Sequence, residues 1–521
     1  MYLYDAQEVR EADRKAMEDL SVPGCLLMEN AARSAVEHIL RFYDNPSCIV
    51  IACGGGNNGG DGLALARQLL LNDMKPHVLL AAEPDKMTSS TTEQLAVIRQ
   101  LGTGVEKTKG LTDVKLLELL ESADLLVDGL LGTGARGAPR GEIERVISLF
   151  NRSRTPVTAL DIPSGVNAST GEVPGAAVRA LSTVTFLAPK TGLFVMPGRA
   201  CSGYIETGHI GVPPWKVLPR TSNTTLADVD SLISLLPDRD LFTHKGRRGT
   251  VLVFGGSSLY GGAPFLAARG ALRAGAGIVV LVIPENAQLA NACLLPETII
   301  FRAPSRDGFL APQAYDRAME QWGHKVSSVV VGPGIGRSES TRELVRKIWE
   351  SGTPAACLDA DALHCLSDMA ETLQRRQDAI LTPHEGEAAT LAGKRPGEVA
   401  SHRLSAARNL SKRWGTVLLK GAGSIIDSGN HRFIIGNDHP CLSVPGSGDV
   451  LSGVVGAMLA SGMNSFDAAV LAAFIHSKTG VILGNEKGID GVLATEIADG
   501  IPRCIKELRD SRKDHLQDGL K

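Results

Sequence analysis

The chain has 521 residues, which exceeds the size that one hydrophobic core usually reaches, so the sequence predicts two to four domains. Hydrophobic residues make up 43% and charged residues 21%, a balance typical of globular proteins that argues against disorder and against a membrane protein. The formal net charge of -3 argues against nucleic-acid binding driven by phosphate neutralisation. We therefore expect small-molecule partners.

Three further features bear on where the protein resides. The nine cysteines are scattered without a C-x-x-C pair, so we interpret them as reduced cytosolic thiols. The N-terminus has the charged, amphipathic pattern of a helix and not the pattern of a secretion signal. Since we find no run of about 18 apolar residues, we expect no membrane-spanning helix and no membrane partner. These features predict a cytoplasmic location.

The first half alternates short apolar runs with helical patterns from about Ser47 onward. Such alternation is typical of an α/β fold with a doubly wound parallel sheet that helices cover on both faces. The predicted strands are 48–53, 76–82, 125–127, 156–160 and 184–187, and a helix is predicted from Asp61.

Residues 211–226 are rich in proline, serine, asparagine and threonine, a composition that suits a linker better than a helix or a strand. We expect a first domain at 1–215, a linker at 216–226 and a second domain at 227–521. The predicted elements of the second, also α/β, domain are strands 251–254, 278–283, 329–331, 355–358, 379–381 and 417–419, a helix at 264–274, and apolar helices from Gly448 and Ser465. The charged segment 503–521 is interpreted as a solvated helix end without function.

The first strand leads into a glycine-rich segment, Gly54–Gly62, that contains six glycines in nine residues. Its backbone amides and the start of the next helix suit the pyrophosphate of a dinucleotide. The match to G-x-G-x-x-G is weak evidence for a dehydrogenase, and no Lys-Ser/Thr pair follows, which excludes a P-loop. The side-chain oxygens of Asn57, Asn58 and Asp61 suggest a cation instead.

Carboxylates follow two other strands of the first half. Asp128 precedes the turn Gly132–Gly137, and Asp161 opens the turn Asp161–Gly165. In an open parallel sheet, ligands bind beyond the carboxyl ends of the strands. Each aspartate alone could simply cap the next helix. Three polar, glycine-rich turns at three strand ends favour a binding site.

These three motifs, Asn-Asn-Gly-Gly-Asp, Asp-Gly-x-x-Gly-Thr-Gly and Asp-x-Pro-Ser-Gly, resemble those of the NAD(P)H-hydrate epimerase family, whose fold is Rossmann-like. The resemblance implies that Asn58, Asp128 and Ser164 bind a potassium ion, and that Asp161 lies at the reacting ring as the catalytic acid and base. It also implies substrate contacts from Asn57, Asn58, Gly59, Gly60, Asp61, Gly132, Thr133, Gly134, Ala135, Arg136, Gly137 and Asp161.

The strongest local signal of the second half is the turn Pro445–Gly453, which opens an apolar helix. Its amides at Gly446, Ser447 and Gly448 can form an anion hole for a transferring phosphoryl group, and Asp449 can take a proton from an attacking hydroxyl. The alternative is that Asp449 is an ordinary helix N-cap.

This turn resembles the ribokinase-like superfamily. The set and order of the other turns of this half resemble the NAD(P)H-hydrate dehydratase family; these turns are His244–Gly246, Gly255–Ser257, Gly332–Gly336, Asp359–Leu363, Thr382–Glu387 and Lys420–Ser424. The resemblance implies that Asp449 is the base, that ADP or ATP is a co-substrate with magnesium, and that Glu385 and Glu387 are candidate magnesium ligands. Relatives often have Thr at Ser447 and Pro at Glu385. The implied nucleotide contacts are Lys420, Gly421, Ala422, Gly423, Ser424 and Gly448; those to the damaged cofactor are Ala263, Gly334, His384 and Asp449.

Together the halves predict a metabolite repair enzyme that epimerises the R and S hydrates of NADH and NADPH and dehydrates the S form at the expense of ADP or ATP. Two alternatives stay open, a small-molecule kinase with an N-terminal ligand-binding domain and a non-enzymatic binding module. The family resemblance suggests a homo-oligomer. The sequence leaves open the preferred nucleotide and the preferred hydrate.

Overall fold

A computed structural model describes residues 1–44, 46–238, 245–287, 295–352, 354–437 and 439–518, with the side chains of 513–518 excepted. Its contacts divide the chain into two compact units, Tyr2–Thr224 and Thr225–Lys521, the second of which includes Met1. The predicted turn residue His244 lies outside the described residues.

The N-terminal unit is built on a seven-stranded sheet in the order β4-β3-β2-β5-β6-β7-β8, and all its pairings are parallel. The strands of this sheet are β2 (Cys48–Cys53), β3 (Lys75–Leu80), β4 (Val105–Lys107), β5 (Leu125–Gly129), β6 (Val157–Leu160), β7 (Ser182–Phe186) and β8 (Tyr204–Gly208), and the unit also contains the short strand β1 (Tyr2–Leu3). Its helices are α1 (Ala6–Glu18), α2 (Gly24–Phe42), α3 (Asn57–Leu70), α4 (Ser89–Gln100), α5 (Asp113–Glu121), α6 (Glu142–Arg152), α7 (Arg199–Ser202) and α8 (Pro214–Val217).

Alternate residues of the central strand β2 pack on opposite faces of this sheet. Ile49 and Ile51 belong to the cluster that contains the buried side chains of α2 and α3. Val50 and Ala52 belong to the cluster formed with α5 and α6. Because both faces are covered, the strand is continuously apolar, as buried parallel strands are. The predicted doubly wound sheet is confirmed.

The glycine-rich segment after β2 is the first turn of a helix, whereas a loop up to Asp61 was expected. Helix α3 begins at Asn57, and Gly59 lies so close to β2 that a Cβ there would come within 2.0 Å of the Gly54 carbonyl oxygen. The close packing of helix against strand end requires glycine here and overrides its low helix propensity.

The C-terminal unit contains a sheet in which β9, β20, β19, β18, β17, β16, β15, β10, β11 and β12 are neighbours in that order. The strands from β18 to β12 are parallel, whereas β18-β19 and β19-β20 are antiparallel. The strands are β9 (Thr224–Leu226), β10 (Thr250–Phe254), β11 (Ile278–Pro284), β12 (Ile299–Ala303), β13 (Ser305–Arg306), β14 (Phe309–Leu310), β15 (Ser328–Val331), β16 (Ala355–Leu358), β17 (Ala379–Leu381), β18 (Thr416–Leu419), β19 (Ile425–Asp427) and β20 (Arg432–Ile434).

The helices of this unit follow most of these strands along the chain. They are α9 (Val229–Leu232), α10 (Ala263–Arg273), α11 (Gln313–Trp322), α12 (Glu339–Glu350), α13 (Asp361–Asp368), α14 (Glu385–Ala392), α15 (Pro396–Ser401), α16 (Arg403–Trp414), α17 (Ser447–Ala460), α18 (Ser465–Lys487) and α19 (Ala494–Asp518). The predicted strands of both halves are confirmed to within two residues at each end.

The structure differs from the expectations at three places. Helix α18 is long and apolar enough to cross a membrane by length and composition, although 72% of its apolar window is buried inside the unit. The linker segment 216–226 contains the end of α8 and all of β9. Within the charged segment 503–521, Cys504 and Leu508 of α19 are buried in the core, so this part of the helix is structural and its apolar stripe decides its position.

Candidate functional sites in two units

A cavity of about 1070 Å³ opens beyond the carboxyl ends of the N-terminal strands. The chain runs from β2 outward to β4 and then returns to β5 on the other side of β2, so a topological switch point lies between β2 and β5. The predicted residues that line the cavity are Asn57, Asn58, Asp61, Gly132, Thr133, Gly134, Ala135 and Asp161.

Asp128, Ser164 and Asn58 meet at the backbone of Leu131. The fully buried Asp128 carboxylate accepts hydrogen bonds from the Ser164 hydroxyl at 2.6 Å and the Ser164 amide at 2.8 Å. The Asn58 side-chain amide donates to the Leu131 carbonyl at 2.9 Å. Helix α6 begins only at Glu142, with Gly141 as its N-cap, so Asp128 does not cap the next helix.

The oxygens of this trio suit a potassium ion. Asn58 Oδ1 is buried and has no hydrogen-bond partner among the described residues. Such an oxygen is costly to leave unpaired, and a hard cation would satisfy it. Burial raises the pKa of Asp128 to about 6, although hydrogen bonds from Ser164 and Leu130 lower it, and a bound cation would favour the ionised form.

Asp161 lies at the end of β6 with a positive φ of 64°, in the left-handed region. Lys190 Nζ donates to its Oδ1 at 2.5 Å and to the Phe186 carbonyl at 2.6 Å. The Lys190 side chain is 0% exposed and that of Asp161 is 14% exposed. This ion pair therefore holds Asp161 at the cavity wall in a fixed orientation.

Two more carboxylates face the same point. Burial, followed by the charge of Asp161, raises the pKa of Asp13 to about 6 against the opposing effect of Lys190. Burial, followed by the charges of Asp161 and Asp13, holds the pKa of Asp61 well above its ordinary range. The raised pKa values favour the protonated forms of Asp13 and Asp61, so the Asp161–Lys190 ion pair sets the charge at this end of the cavity.

The other predicted substrate contacts lie elsewhere. Gly59 and Gly60 lie within α3, where a Cβ would meet the Gly54 carbonyl oxygen at 2.0 Å or the Met28 side chain at 2.6 Å. Arg136 and Gly137 lie in the exposed part of the turn that follows Ala135. The structure thus gives the two α3 glycines a packing role.

In the C-terminal unit, Asp449 is located in the first turn of α17. The N-cap of this helix is Gly446, with a φ of 87°, so Asp449 is not the capping residue. Burial, followed by the charge of Asp359, raises the pKa of Asp449 to about 7, although the charge of Lys420 lowers it. A carboxylate with such a pKa is a suitable general base near neutral pH.

Lys420, which follows β18, pairs with two carboxylates from the segments that follow β16 and β17. Its Nζ lies 2.7 Å from Asp359 Oδ1 and 3.7 Å from Glu387 Oε2. Burial lowers the pKa of Lys420, but the charges of Asp359 and Glu387 outweigh this and raise it overall. A Cβ at Gly448 would lie 3.3 Å from Lys420 Nζ, so the predicted anion hole lies directly beside this ammonium group.

Ser447 of the predicted anion hole lies within hydrogen-bond distance of a buried histidine, His476. His476 Nε2 lies 3.2 Å from the Ser447 hydroxyl and 3.1 Å from its carbonyl oxygen. Burial lowers the pKa of His476 to about 4, so the ring is neutral at physiological pH and holds the turn without adding charge. The N-terminal amides of α17 thus have a fixed direction.

The predicted nucleotide turn after β18 packs on the buried Arg403 of α16. Arg403 forms an ion pair with Glu385 and donates to the carbonyls of Lys420 and Gly423. Gly421 has a φ of 132°, and a Cβ there would meet the Arg403 guanidinium at 2.8 Å. Ala422 is exposed, and the Ser424 hydroxyl donates to the Gly421 carbonyl.

The predicted contacts to the damaged cofactor form two groups. Gly334 and Ala263 are neighbours, since a Cβ at Gly334 would lie 3.2 Å from that of Ala263. His384 is the N-cap of α14. Its Nδ1 accepts a hydrogen bond from the Gly386 amide, and its backbone amide donates to the Glu387 carboxylate. Both candidate magnesium ligands already have partners. Glu385 forms an ion pair with Arg403, and Glu387 forms an ion pair with Lys420 and accepts a hydrogen bond from the His384 amide.

Five charged residues of these sites were not predicted in these roles: Asp13, Lys190, Asp359, Lys420 as the partner of a base, and Arg403. Lys190 follows β7, so reading the polar residues at that strand's carboxyl end would have found it. Asp13 and Arg403 reach their sites from helices distant in sequence, and no local motif indicates them.

Comparisons with known proteins assign both units. A family profile described as YjeF-related protein N-terminus matches residues 24–192, and one described as NAD(P)H-hydrate dehydratase matches residues 251–503. The bifunctional NAD(P)H-hydrate repair enzyme Nnr of Thermanaerovibrio acidaminovorans is 39% identical over 497 residues, 95% of this chain and 96% of the relative. The enzyme of the same name from Moorella thermoacetica is 34% identical over 100% of this chain and 99% of its own.

A crystal structure of ADP/ATP-dependent NAD(P)H-hydrate dehydratase from Bacillus subtilis is 27% identical, with a TM-score of 0.48, and covers 55% of this chain and 100% of its own. These two relatives match both units over 96% and 99% of their own length. The chain therefore belongs to the family of bifunctional NAD(P)H-hydrate repair enzymes, with an epimerase domain and an NAD(P)H-hydrate dehydratase domain on one polypeptide.

Proposed function

We propose that the N-terminal unit epimerises the hydrates of NADH and NADPH through Asp161, and that the C-terminal unit dehydrates the S form through Asp449. The observation that supports this best is the pair of charged centres, each at the carboxyl ends of a parallel sheet. We keep the domain bounds of 1–215, 216–226 and 227–521 as part of the proposal.

In the dehydratase step, Asp449 takes the proton of the 6-hydroxyl while the oxygen attacks the terminal phosphate of ADP or ATP, whose phosphoanhydride bond breaks and releases AMP or ADP. The α17 amides at Gly446, Ser447 and Gly448 and the Lys420 ammonium group stabilise the negative charge that develops on the phosphoryl oxygens. Inorganic phosphate then leaves with the former hydroxyl oxygen, the ring loses the proton from carbon 5, and the double bond of the dihydropyridine returns.

In the epimerase step, carbon 6 must lose its configuration, either through ring opening or through an iminium. Both routes transfer a proton at the hydroxyl, and Asp161 is in position to accept and return it. Lys190 keeps Asp161 oriented, and the Asp161 carboxylate at the cavity wall would stabilise positive charge that develops on the ring.

The same proposal includes the bound ions, the cellular location and the oligomeric state. Asn58, Asp128 and Ser164 would hold a potassium ion, which would supply fixed positive charge beside the substrate. Magnesium would accompany the nucleotide phosphates mainly through phosphate and water oxygens, because Glu385 and Glu387 already bind cationic or amide groups. We propose a cytoplasmic homo-oligomer that acts without nucleic-acid or membrane partners.

The first test follows the absorbance of the reduced nicotinamide while the enzyme acts on a mixture of R and S hydrates with ATP or ADP, magnesium and potassium. We expect complete recovery, at conditions where spontaneous epimerisation is slow. Recovery of only the S share would refute the epimerase assignment and leave the dehydratase standing. A stable phosphorylated product would support the kinase alternative. Replacing potassium by tetramethylammonium should slow the R-to-S conversion.

A second test uses the pH dependence of dehydration. Asp449 acts as the deprotonated base, so kcat for the S hydrate should rise with pH through about 7. Lys420→Met removes a charge that lowers this pKa, so the rise should move to higher pH. Asp359→Asn removes a charge that raises it and should move the rise to lower pH. Unmoved profiles in both variants would exclude Asp449 as the titrating group.

A further inference from the structure

The N-terminal cavity has a second charged end, formed at the carboxyl ends of β3 and β4. Lys86, Lys107 and Lys109 line the cavity there, together with Glu83. Lys107 Nζ lies 2.8 Å from Glu83 Oε2, and Lys109 Nζ lies 3.6 Å from Glu83 Oε1. Two ammonium groups pair with one carboxylate, and Lys86 is a third lysine of the same lining, so this end of the cavity has a surplus of positive charge.

The two ends lie at opposite sides of the switch point. In the strand order β4-β3-β2-β5-β6, the end of β4 is four strands from the end of β6. At about 4.8 Å per strand, this separates them by roughly 19 Å. A dinucleotide laid across the strand ends therefore spans from one to the other, with its pyrophosphate near the start of α3.

The direction of the dinucleotide follows from the proposed function, on which this inference rests. If the hydrated ring lies at Asp161, the adenosine half lies over β2, β3 and β4. In doubly wound dinucleotide sites, an acidic residue after the second strand binds the ribose 2′-hydroxyl, whereas a cation there binds a 2′-phosphate. Glu83 follows the second strand of this sheet, β3, and the lysines surround it.

We propose that Lys107 and Lys109, with Lys86, form a subsite for the 2′-phosphate of the adenosine ribose, so that the epimerase favours NADPH hydrate over NADH hydrate. When the phosphate is absent, Glu83 forms ion pairs with Lys107 and Lys109. The hydrogen bond from Lys107 holds the pKa of Glu83 below its ordinary range, so this carboxylate is a charged competitor that a dianionic phosphate displaces.

The test compares R-to-S conversion of both hydrates, with epimers separated by chromatography and no nucleotide present. Lys107→Ala/Lys109→Ala should raise KM for NADPH hydrate about tenfold, with kcat unchanged and KM for NADH hydrate within about twofold. Glu83→Gln should lower KM for NADPH hydrate and raise it for NADH hydrate. The matched control, Lys75→Ala/Lys115→Ala, removes two lysines that lie away from the cavity lining and should change neither.

Equal changes for both hydrates, or none for NADPH hydrate, would overturn the subsite. Calorimetric titration of the full-length protein with adenosine 2′,5′-bisphosphate and with 5′-AMP gives a readout independent of catalysis. We expect the lysine variant to lose affinity for the bisphosphate about tenfold and to bind 5′-AMP as the wild type does. A wild type that binds in this way but does not epimerise would refute the proposed activity and leave the subsite standing.

Discussion

Asp449→Asn should lower kcat for dehydration of the S hydrate by about three orders of magnitude, since general-base catalysis contributes roughly 10²–10⁴-fold. The substitution keeps the shape of a side chain in the first turn of α17 and removes the group that accepts the proton. The rate is measured from the recovery of reduced-nicotinamide absorbance on purified S hydrate with saturating ATP.

The control for this variant is Asp368→Asn, which changes a partly exposed aspartate at the end of α13 that pairs with Arg342. It should dehydrate the S hydrate at the wild-type rate. Asp449→Asn should still interconvert R and S hydrates, because the epimerase residues belong to the other unit. Dehydration within tenfold of the wild type would remove Asp449 from the mechanism.

Asp161→Asn should lower the rate of R-to-S conversion by a similar factor, roughly 10²–10⁴-fold, and leave dehydration of purified S hydrate unchanged. Asparagine is preferred to alanine because Asp161 has a φ of 64°, a conformation that asparagine tolerates better than other residues. The loss is then due to the carboxylate and not to a strained backbone.

A matched control for the backbone is Asp73→Asn, since Asp73 has a φ of 58° in the turn between α3 and β3. Both conversions should proceed normally in this variant. If Asp161→Asn retained full epimerisation, Asp161 would not be the acid and base, and the Lys190 ion pair would have only a structural role.

The sequence predicted the sheets well because buried parallel strands are short, continuous and apolar. It also predicted the glycine-rich turns and Asp128, Asp161 and Asp449, since such residues cluster at the ends of those strands. The start of α3 could not be predicted, because the glycines that suggest a loop are required by contact with Gly54, which is a tertiary effect.

The charged contacts within the two sites were harder to predict from the sequence. Lys420 appeared as a nucleotide contact, yet its closest partners are Asp359 and Glu387, whose turns lie well before it in the chain. Asp13 faces Asp61 and Asp161 from a helix near the N-terminus. The pKa of a carboxylate depends on every charge that folding brings near it, and spacing along the chain does not contain that information.

The close packing of α3 on β2 also limits how this unit can be redesigned. Gly54 and Gly59 have no space for a methyl group, since a Cβ would meet carbonyl oxygens at 1.9 Å and 2.0 Å. A mutant library aimed at new dinucleotides should therefore keep these positions fixed and place its diversity at the β3 and β4 ends. Variation there changes charge at an exposed rim, whereas variation at the glycines would move the helix that every dinucleotide must share.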